Sequence, residues 1–156
     1  MDKDTAYIRR VNDLALESIR SGGGPFGALI VKNGNIIAEA INSVVKDADP
    51  TAHAEIMAIR IAAEKTGSHI LDGCILFTSC EPCPMCLGAI YWARIAKVVY
   101  SSTRMDAARA GFDDEFIYDE LALNTYERKV LFVHNTETDG RIVFRAWGES
   151  ENKIPY

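Results

Sequence analysis

Four cysteines stand within thirteen positions, at 74, 80, 83 and 86, and about thirty residues upstream of the last pair lies a histidine with a carboxylate two residues behind it, His53-Ala54-Glu55. One imidazole with two thiols is the donor mixture that zinc favours. Cys83 and Cys86 are three apart in Pro82-Cys83-Pro84-Met85-Cys86. In the first turn of a helix that spacing brings both sulfurs to one side, and the positive helix end favours their thiolate forms. Two thiolates cancel the charge of a divalent cation, and three protein ligands leave the fourth tetrahedral position open for water, as catalysis requires. The expected metal set is therefore His53, Cys83 and Cys86, with Zn2+ as the cofactor. Cys80 is the local candidate for a fourth ligand, which would make the site closed and structural. A Cys-x-x-Cys pair alone would equally suit redox chemistry.

Glu55 is the residue that turns a metal site towards catalysis. Two residues apart in a helix interior, it and His53 would point to nearly opposite sides. At a helix start both can lean around the open end, which sets a carboxylate near the metal's water without making it a ligand. Its expected role is proton shuttle. Cys74 reads as a small hydrophobe in a strand, and His69 and His134 have no motif around them.

The elements that must position these groups are readable from periodicity. From about Asp4 to Ser21, Ile8, Val11, Leu14, Ala15 and Ile19 follow three- and four-residue spacings, a helix stopped by Gly22-Gly23-Gly24-Pro25. Phe26 to Val31 and Ile36 to Ile41 bracket Lys32-Asn33-Gly34-Asn35, which predicts a hairpin. Asp49-Pro50-Thr51 offers a turn and cap before a helix over Ala52 to Lys65, ended at Gly67. Further along, strands are expected over Cys74 to Ser79, Lys97 to Ser101 and Val130 to Val133, and helices over Pro84 to Arg94 and Asp113 to Leu123; Arg141 to Asn152 is ambiguous, with a terminal helix as one reading. A hairpin followed by alternating helices and strands implies a layered α/β or α/β/α sandwich with a mixed sheet.

The chain has 156 residues, 48% hydrophobic and 25% charged, without low-complexity tracts or internal repeats, and reads as one domain over 1–156. Seventeen Lys and Arg against twenty-two Asp and Glu give a net charge of −5, which disfavours nucleic acid as the main partner. No apolar stretch is long enough to span a bilayer, and the alternating charges of Met1 to Arg10 lack the layout of a secretory signal, so no membrane partner and a cytoplasmic location are expected. Clustered cysteines in a reducing compartment fit metal binding better than disulfides.

His-x-Glu followed by Pro-Cys-x-x-Cys is a known signature of zinc nucleobase deaminases. Gly24-Pro-Phe-Gly-Ala-Leu-Ile-Val, Asn42, Asp49-Pro-Thr-Ala-His-Ala-Glu and Thr78-Ser-Cys-Glu-Pro-Cys-Pro-Met-Cys-Leu-Gly-Ala-Ile together resemble the cytidine deaminase superfamily. Within it the chain is most similar to the small bacterial guanine deaminases, through Tyr91-Trp92-Ala93-Arg94, Ala110-Gly-Phe-Asp-Asp-Glu-Phe-Ile-Tyr and the terminal Tyr156. The likeness covers nearly the whole chain and is weak from about Ala122 to Ile154. It implies a three-layer α/β/α sandwich with a five-stranded mixed sheet, and a homodimer that exchanges its C-terminal segment so that Tyr156 closes the partner's site. It also implies that His53, Cys83 and Cys86 hold zinc, that Glu55 and Asp114 are catalytic, and that Phe26, Asn42, Trp92 and Tyr156 bind a small nucleobase. Between the adjacent Asp113 and Asp114, the family pattern favours Asp114.

The reaction so implied is hydrolytic deamination of guanine to xanthine and ammonia in purine catabolism. The metal motif alone says only that an amino group on a ring C=N unit is exchanged for oxygen. Guanosine, cytosine or an amino-triazine are alternative substrates. A tRNA adenosine deaminase would be expected to carry basic surface for phosphates. In a different class stands a non-catalytic zinc module, against which Glu55 beside an open metal position argues.

Overall fold

A computed structural model describes residues 3–155 of the chain. Helix α1, Lys3–Arg20, buries Val11, Leu14, Ala15 and Ser18, one stripe at the spacing of a helix face. It ends before Gly22, whose φ of 84° carries the chain into the turn. Strands β1 (Gly27–Lys32) and β2 (Asn35–Ile41) form the expected hairpin. Asn33 and Gly34 both take positive φ, 52° and 77°, as a tight turn between right-twisted strands requires. A bulge follows: Ile30 pairs with Ala38 but Val31 with Ile36, leaving Ile37 extra.

After β2 come a short helix α2 (Val44–Asp47), helix α3 (Ala54–Thr66), strand β3 (Ile75–Cys80), helix α4 (Pro84–Trp92), strand β4 (Lys97–Ser102) and helix α5 (Arg104–Arg109). The sheet order is β2-β1-β3-β4, with β1 antiparallel to both neighbours and β3 parallel to β4 across α4. Alternate residues face opposite ways. Ala28, Ile30 and Leu76 pack with Ala54, Ala58 and Ala62 of α3 and Ile90 of α4, whereas Leu29, Val31 and Phe77 pack with Val11 of α1. The Tyr7 ring tilts onto Phe77 at 4.8 Å. Gly27 makes the α1 contact possible, because a Cβ there would lie 2.5 Å from the Val11 carbonyl oxygen and 2.7 Å from the Ala15 nitrogen.

The strand directions decide where a site can form. The end of β2 pairs with the start of β1, Gly27 with Ile41, and Ala28 pairs with Thr78 near the end of β3. Cys80 in turn pairs with Ser102 at the end of β4. Four connections therefore leave one edge of the sheet, the edge outside the carboxyl ends of the parallel strands, where open α/β sheets bind ligands.

By internal contacts the chain forms two compact units, one ending at Asp114 and the other beginning at Glu115. The second holds α6 (Glu115–Ala122), a 3-10 turn at Thr125–Glu127 and α7 (Arg141–Glu149). Arg128 ties its turn together by donating to the carbonyls of Glu120 and Leu123.

One expectation is corrected. The sheet has four strands among the described residues, not five: Val130–Val133 forms no ladder, and its side chains are exposed, Leu131 by 82%. A short apolar run has no period of its own that demands pairing. The ambiguous segment after Arg141 is helical to Glu149, and none of the described helices is long and apolar enough to cross a membrane.

Candidate active site

His53 and Cys83 hold equivalent positions in different helices. His53 is the N-cap of α3 and Cys83 the N-cap of α4, both with extended backbone, and neither side chain bonds the amides of its own helix. Pro84 opens α4, where its missing N–H costs nothing. Before His53 the chain is set by Asp49, whose Oδ1 accepts the Thr51 N–H at 2.8 Å and the Thr51 hydroxyl at 2.7 Å. Arg60, in the second turn of α3, donates to Thr51 Oγ1 at 3.2 Å.

The His53 Nδ1 lies 3.6 Å from the sulfur of Cys83 and 3.6 Å from that of Cys86. The three donor atoms lie within 4.8 Å of one another. Tetrahedral zinc, with bonds of about 2.3 Å to sulfur and about 2.05 Å to nitrogen, would hold such pairs about 3.6 Å apart. The donor set thus fits zinc in both chemistry and spacing. The two sulfurs titrate as a pair: the Cys86 thiol donates to Cys83, which is drawn down to about 4, while Cys86 is pushed above the thiol range. The negative Cys83 sulfur raises the His53 pKa through their hydrogen bond.

Glu55, in the first turn of α3, is 5% exposed. Burial raises its pKa above the ordinary carboxylate value. The Thr78 hydroxyl, fully buried in β3, donates to Glu55 Oε1 at 3.4 Å. A buried carboxyl beside the metal donors and held from behind is suited to take up and return a proton.

These groups open into a cavity of about 460 Å3. His53, Glu55 and Cys83 form one part of its wall, and Phe26, Asn42 and Asp114 also line it. Phe26 is packed edge-on by Phe112, centroid to centroid 5.0 Å. Asn42 is nearly buried, and its Oδ1 accepts the Val44 N–H at 3.3 Å. Asp114 is half-buried and its pKa is raised, first by burial and then by the negative Cys83, whereas Asp113 is exposed and outside the wall.

Other expected residues fall elsewhere. Trp92 is 65% exposed and not part of the cavity wall. Cys86, Ile90 and Ala93 are the inward positions of this segment, and Trp92, two past Ile90, turns off that face. Tyr156 lies outside the described residues. Cys80 also lines the cavity but donates to the Thr103 carbonyl at 3.6 Å, with its pKa pushed up to about 11 by burial, and it is not part of the metal group. Cys74 is a fully buried core residue.

Periodicity and spacing did not reveal Gly22 to Gly24, Val44, Val45, Glu81, Arg104, Ala107 and Phe112, all in the cavity wall. Gly-rich turns and short helices carry no helical or strand period. The need for glycine at Gly23 shows only in the fold, where a Cβ would meet Ser18 Oγ at 2.5 Å and the Asn42 carbonyl at 2.7 Å.

The fold and the His/Cys/Cys group beside a buried glutamate define a zinc-dependent deaminase. The profile of the cytidine and deoxycytidylate deaminase zinc-binding region matches residues 1–102, and the chain belongs to that family. It is 53% identical to a guanine deaminase of Bacillus subtilis over 151 residues, 96% of this chain and 97% of that one. The X-ray structure of guanine deaminase from Bacillus subtilis superposes with a TM-score of 0.96 at 52% identity, covering 100% of this chain and 99% of the other. A tRNA-specific adenosine deaminase of Aquifex aeolicus is 43% identical over 111 residues, 70% of this chain and 72% of its own.

Proposed function

We propose that the protein hydrolyses guanine to xanthine and ammonia. The observation that carries this reading is the likeness to the Bacillus subtilis guanine deaminase, which extends over 96% of the chain and so includes the cavity wall beyond the shared metal motif. The likeness to the adenosine deaminase stops at 70%. A net charge of −5 also suits a small neutral base better than a polyanion.

In this reading His53, Cys83 and Cys86 hold zinc. The bound ion supplies a Lewis acid and lowers the pKa of water towards about 7. Glu55 takes the proton of the attacking water on a carboxylate oxygen while Thr78 holds Oε1. The water oxygen bonds to C2 of guanine, and Glu55 returns its proton to the adjacent ring nitrogen. Glu55 then takes up the proton of the new C2 hydroxyl, the exocyclic nitrogen is protonated by Glu55 or by Asp114, whose pKa is raised by burial, and ammonia leaves as the C2–N bond breaks and the C2–O bond becomes double. Asn42 hydrogen-bonds the base and Phe26 covers a flat face. Burial in a cavity of about 460 Å3 keeps the polar groups oriented with little competing water.

The same reading makes the chain a single deaminase domain that acts in the cytoplasm as a homodimer, with the C-terminal segment exchanged and Tyr156 against the partner's site. Leu131, Val133 and Phe144, exposed by 82%, 78% and 76%, support it, since so much apolar surface calls for cover. Molar mass by light scattering, alone and with residues 150–156 removed, tests the exchange.

The test of function is ammonia release by zinc-loaded protein from guanine, guanosine, adenine, cytosine and tRNA. Turnover of guanine above all others is expected. Preference for guanosine or for adenosine in tRNA would overturn the assignment, and silence on every substrate would favour a binding module.

A further inference from the structure

Two residues before Cys83 stands Glu81, a residue the mechanism leaves unused. It follows β3 and precedes Pro82-Cys83, and it lines the cavity. Its Oε2 accepts the backbone N–H of Arg104, the first residue of α5, at 3.1 Å. Two more contacts join the same pair of segments: Glu81 N–H donates to the Ser102 carbonyl at 2.9 Å, and Cys80 Sγ to the Thr103 carbonyl at 3.6 Å.

What hangs from this joint is the substrate wall. Thr103 and Asp106 close a capping box that fixes the start of α5, and Ala107 of that helix faces the cavity. The Ala107 carbonyl then accepts the Phe112 N–H at 3.0 Å. Phe112 packs on Phe26, and Asp114 follows two residues later. Of the three contacts at the joint, the carboxylate of Glu81 is the one made by a charged side chain to a helix-start amide, and so the strongest.

We propose that Glu81 is a positioning residue for base binding: its grip on the Arg104 amide ties the Cys83 loop to the α5–Asp114 segment and sets Phe112 against Phe26. The proposal rests on the reading that this cavity takes guanine. Glu81 touches none of the reacting atoms, and its effect is on the wall and not on metal retention.

The test uses full-length, zinc-loaded protein. Glu81→Ala should raise the KM for guanine about tenfold, the worth of one charge-assisted hydrogen bond, with kcat changed less. Zinc per chain should stay at the wild-type value, and amide exchange from Arg104 to Ala107 should quicken. Glu81→Gln, which keeps an accepting oxygen, should restore KM and protection. A second variant removes the other half of the bond. Thr103 has φ −84° and ψ 163°, a conformation a following proline accepts, and proline is at home in the first turn of a helix. Arg104→Pro, judged against Arg104→Ala to allow for the lost side chain, should reproduce the KM rise. Adding Glu81→Ala to Arg104→Pro should then change nothing more.

Unchanged KM and exchange in Glu81→Ala, additive effects in the double variant, or loss of zinc from Glu81→Ala would each overturn the proposal. If wild-type protein releases no ammonia from guanine, it is the proposed function that falls. The exchange measurement still decides the strut, since it needs no substrate.

Discussion

The ring nitrogen Nδ1 of His53 lies 3.6 Å from the sulfur of Cys83, and the two residues are the N-caps of successive long helices on the same side of the sheet. Two helix starts thus meet at one point. Their partial positive charge favours a thiolate there; Cys83 is drawn down to about 4, while burial raises the pKa of the neighbouring Glu55.

Replacing one donor should dismantle that arrangement. Cys83→Ser and Cys86→Ser are expected to bind less than one equivalent of zinc and to lose at least about 100-fold in kcat/KM, since three ligands are the minimum of an open catalytic site. Chelator-treated wild-type protein should be inactive and recover on zinc addition, measured by ammonia release against metal content. Full activity in metal-free protein would refute the metal assignment.

Glu55→Gln should keep zinc and the fold while kcat drops by about 10²- to 10⁴-fold, the usual contribution of a positioned acid-base group. Thr78→Val, which removes the hydroxyl at 3.4 Å from Oε1 at nearly constant volume, should lower kcat by a smaller factor, and Thr78→Ser should recover it. Steady-state kinetics on the three variants provides the check. Wild-type turnover by Glu55→Gln would rule out the shuttle.

Two glycines separate packing from propensity. Gly27→Ala places a Cβ 2.5 Å from the Val11 carbonyl oxygen and should destabilise by about 1–3 kcal/mol as α1 is pushed off β1. Gly88→Ala lies inside α4 with nothing within 4 Å of the new carbon, and should stabilise by about 0.5–1 kcal/mol. Urea unfolding midpoints measure both, and equal shifts of the same sign would contradict the packing argument.

Arg10 and Glu39 join α1 to β2 by two hydrogen bonds of 2.8 Å each. The hydrogen bond from Arg10 holds the Glu39 carboxyl below its ordinary value of 4.5. A lowered folded pKa means that the stabilisation is complete above 4.5 and is lost as pH falls through the lower, folded value. Both side chains are about a third exposed, at 37% and 32%, so the effect is no more than about 1 kcal/mol. Glu39→Gln should be less stable than wild type at pH 7, with the gap closing as pH falls below 4.5 in urea titrations. A gap that widened on acidification would show the sign to be wrong.

The metal group and the hairpin were legible in the sequence because each is specified locally. Asn33-Gly34 dictates its own turn, and Cys83 and Cys86 need only one helical turn to converge. Glu55 was legible through its distance from His53 at a helix start. The cavity wall was not, because Glu81, Arg104 and Phe112 come together only when β3 and β4 pair and end at the same edge. α2 and α5, with four and six residues, are too short to show a period. Val130–Val133 misled in the opposite direction: β-branched and apolar residues suit a strand, but the described residues offer them no strand to pair with. Trp92 lies outside this cavity, since the turn of α4 that buries Cys86 and Ile90 faces it away.

His53 and Cys83 are separated by 30 residues, and the four cysteines form no disulfide. An ion gripped at both ends would close that stretch into a loop, a constraint worth about 3.6 kcal/mol of chain entropy by the relation for cross-linked loops. The ion that activates water would then also act as a reversible staple across α3 and β3. Loading it would restrict the unfolded chain much as a disulfide does in secreted proteins, in a form that reducing conditions leave intact.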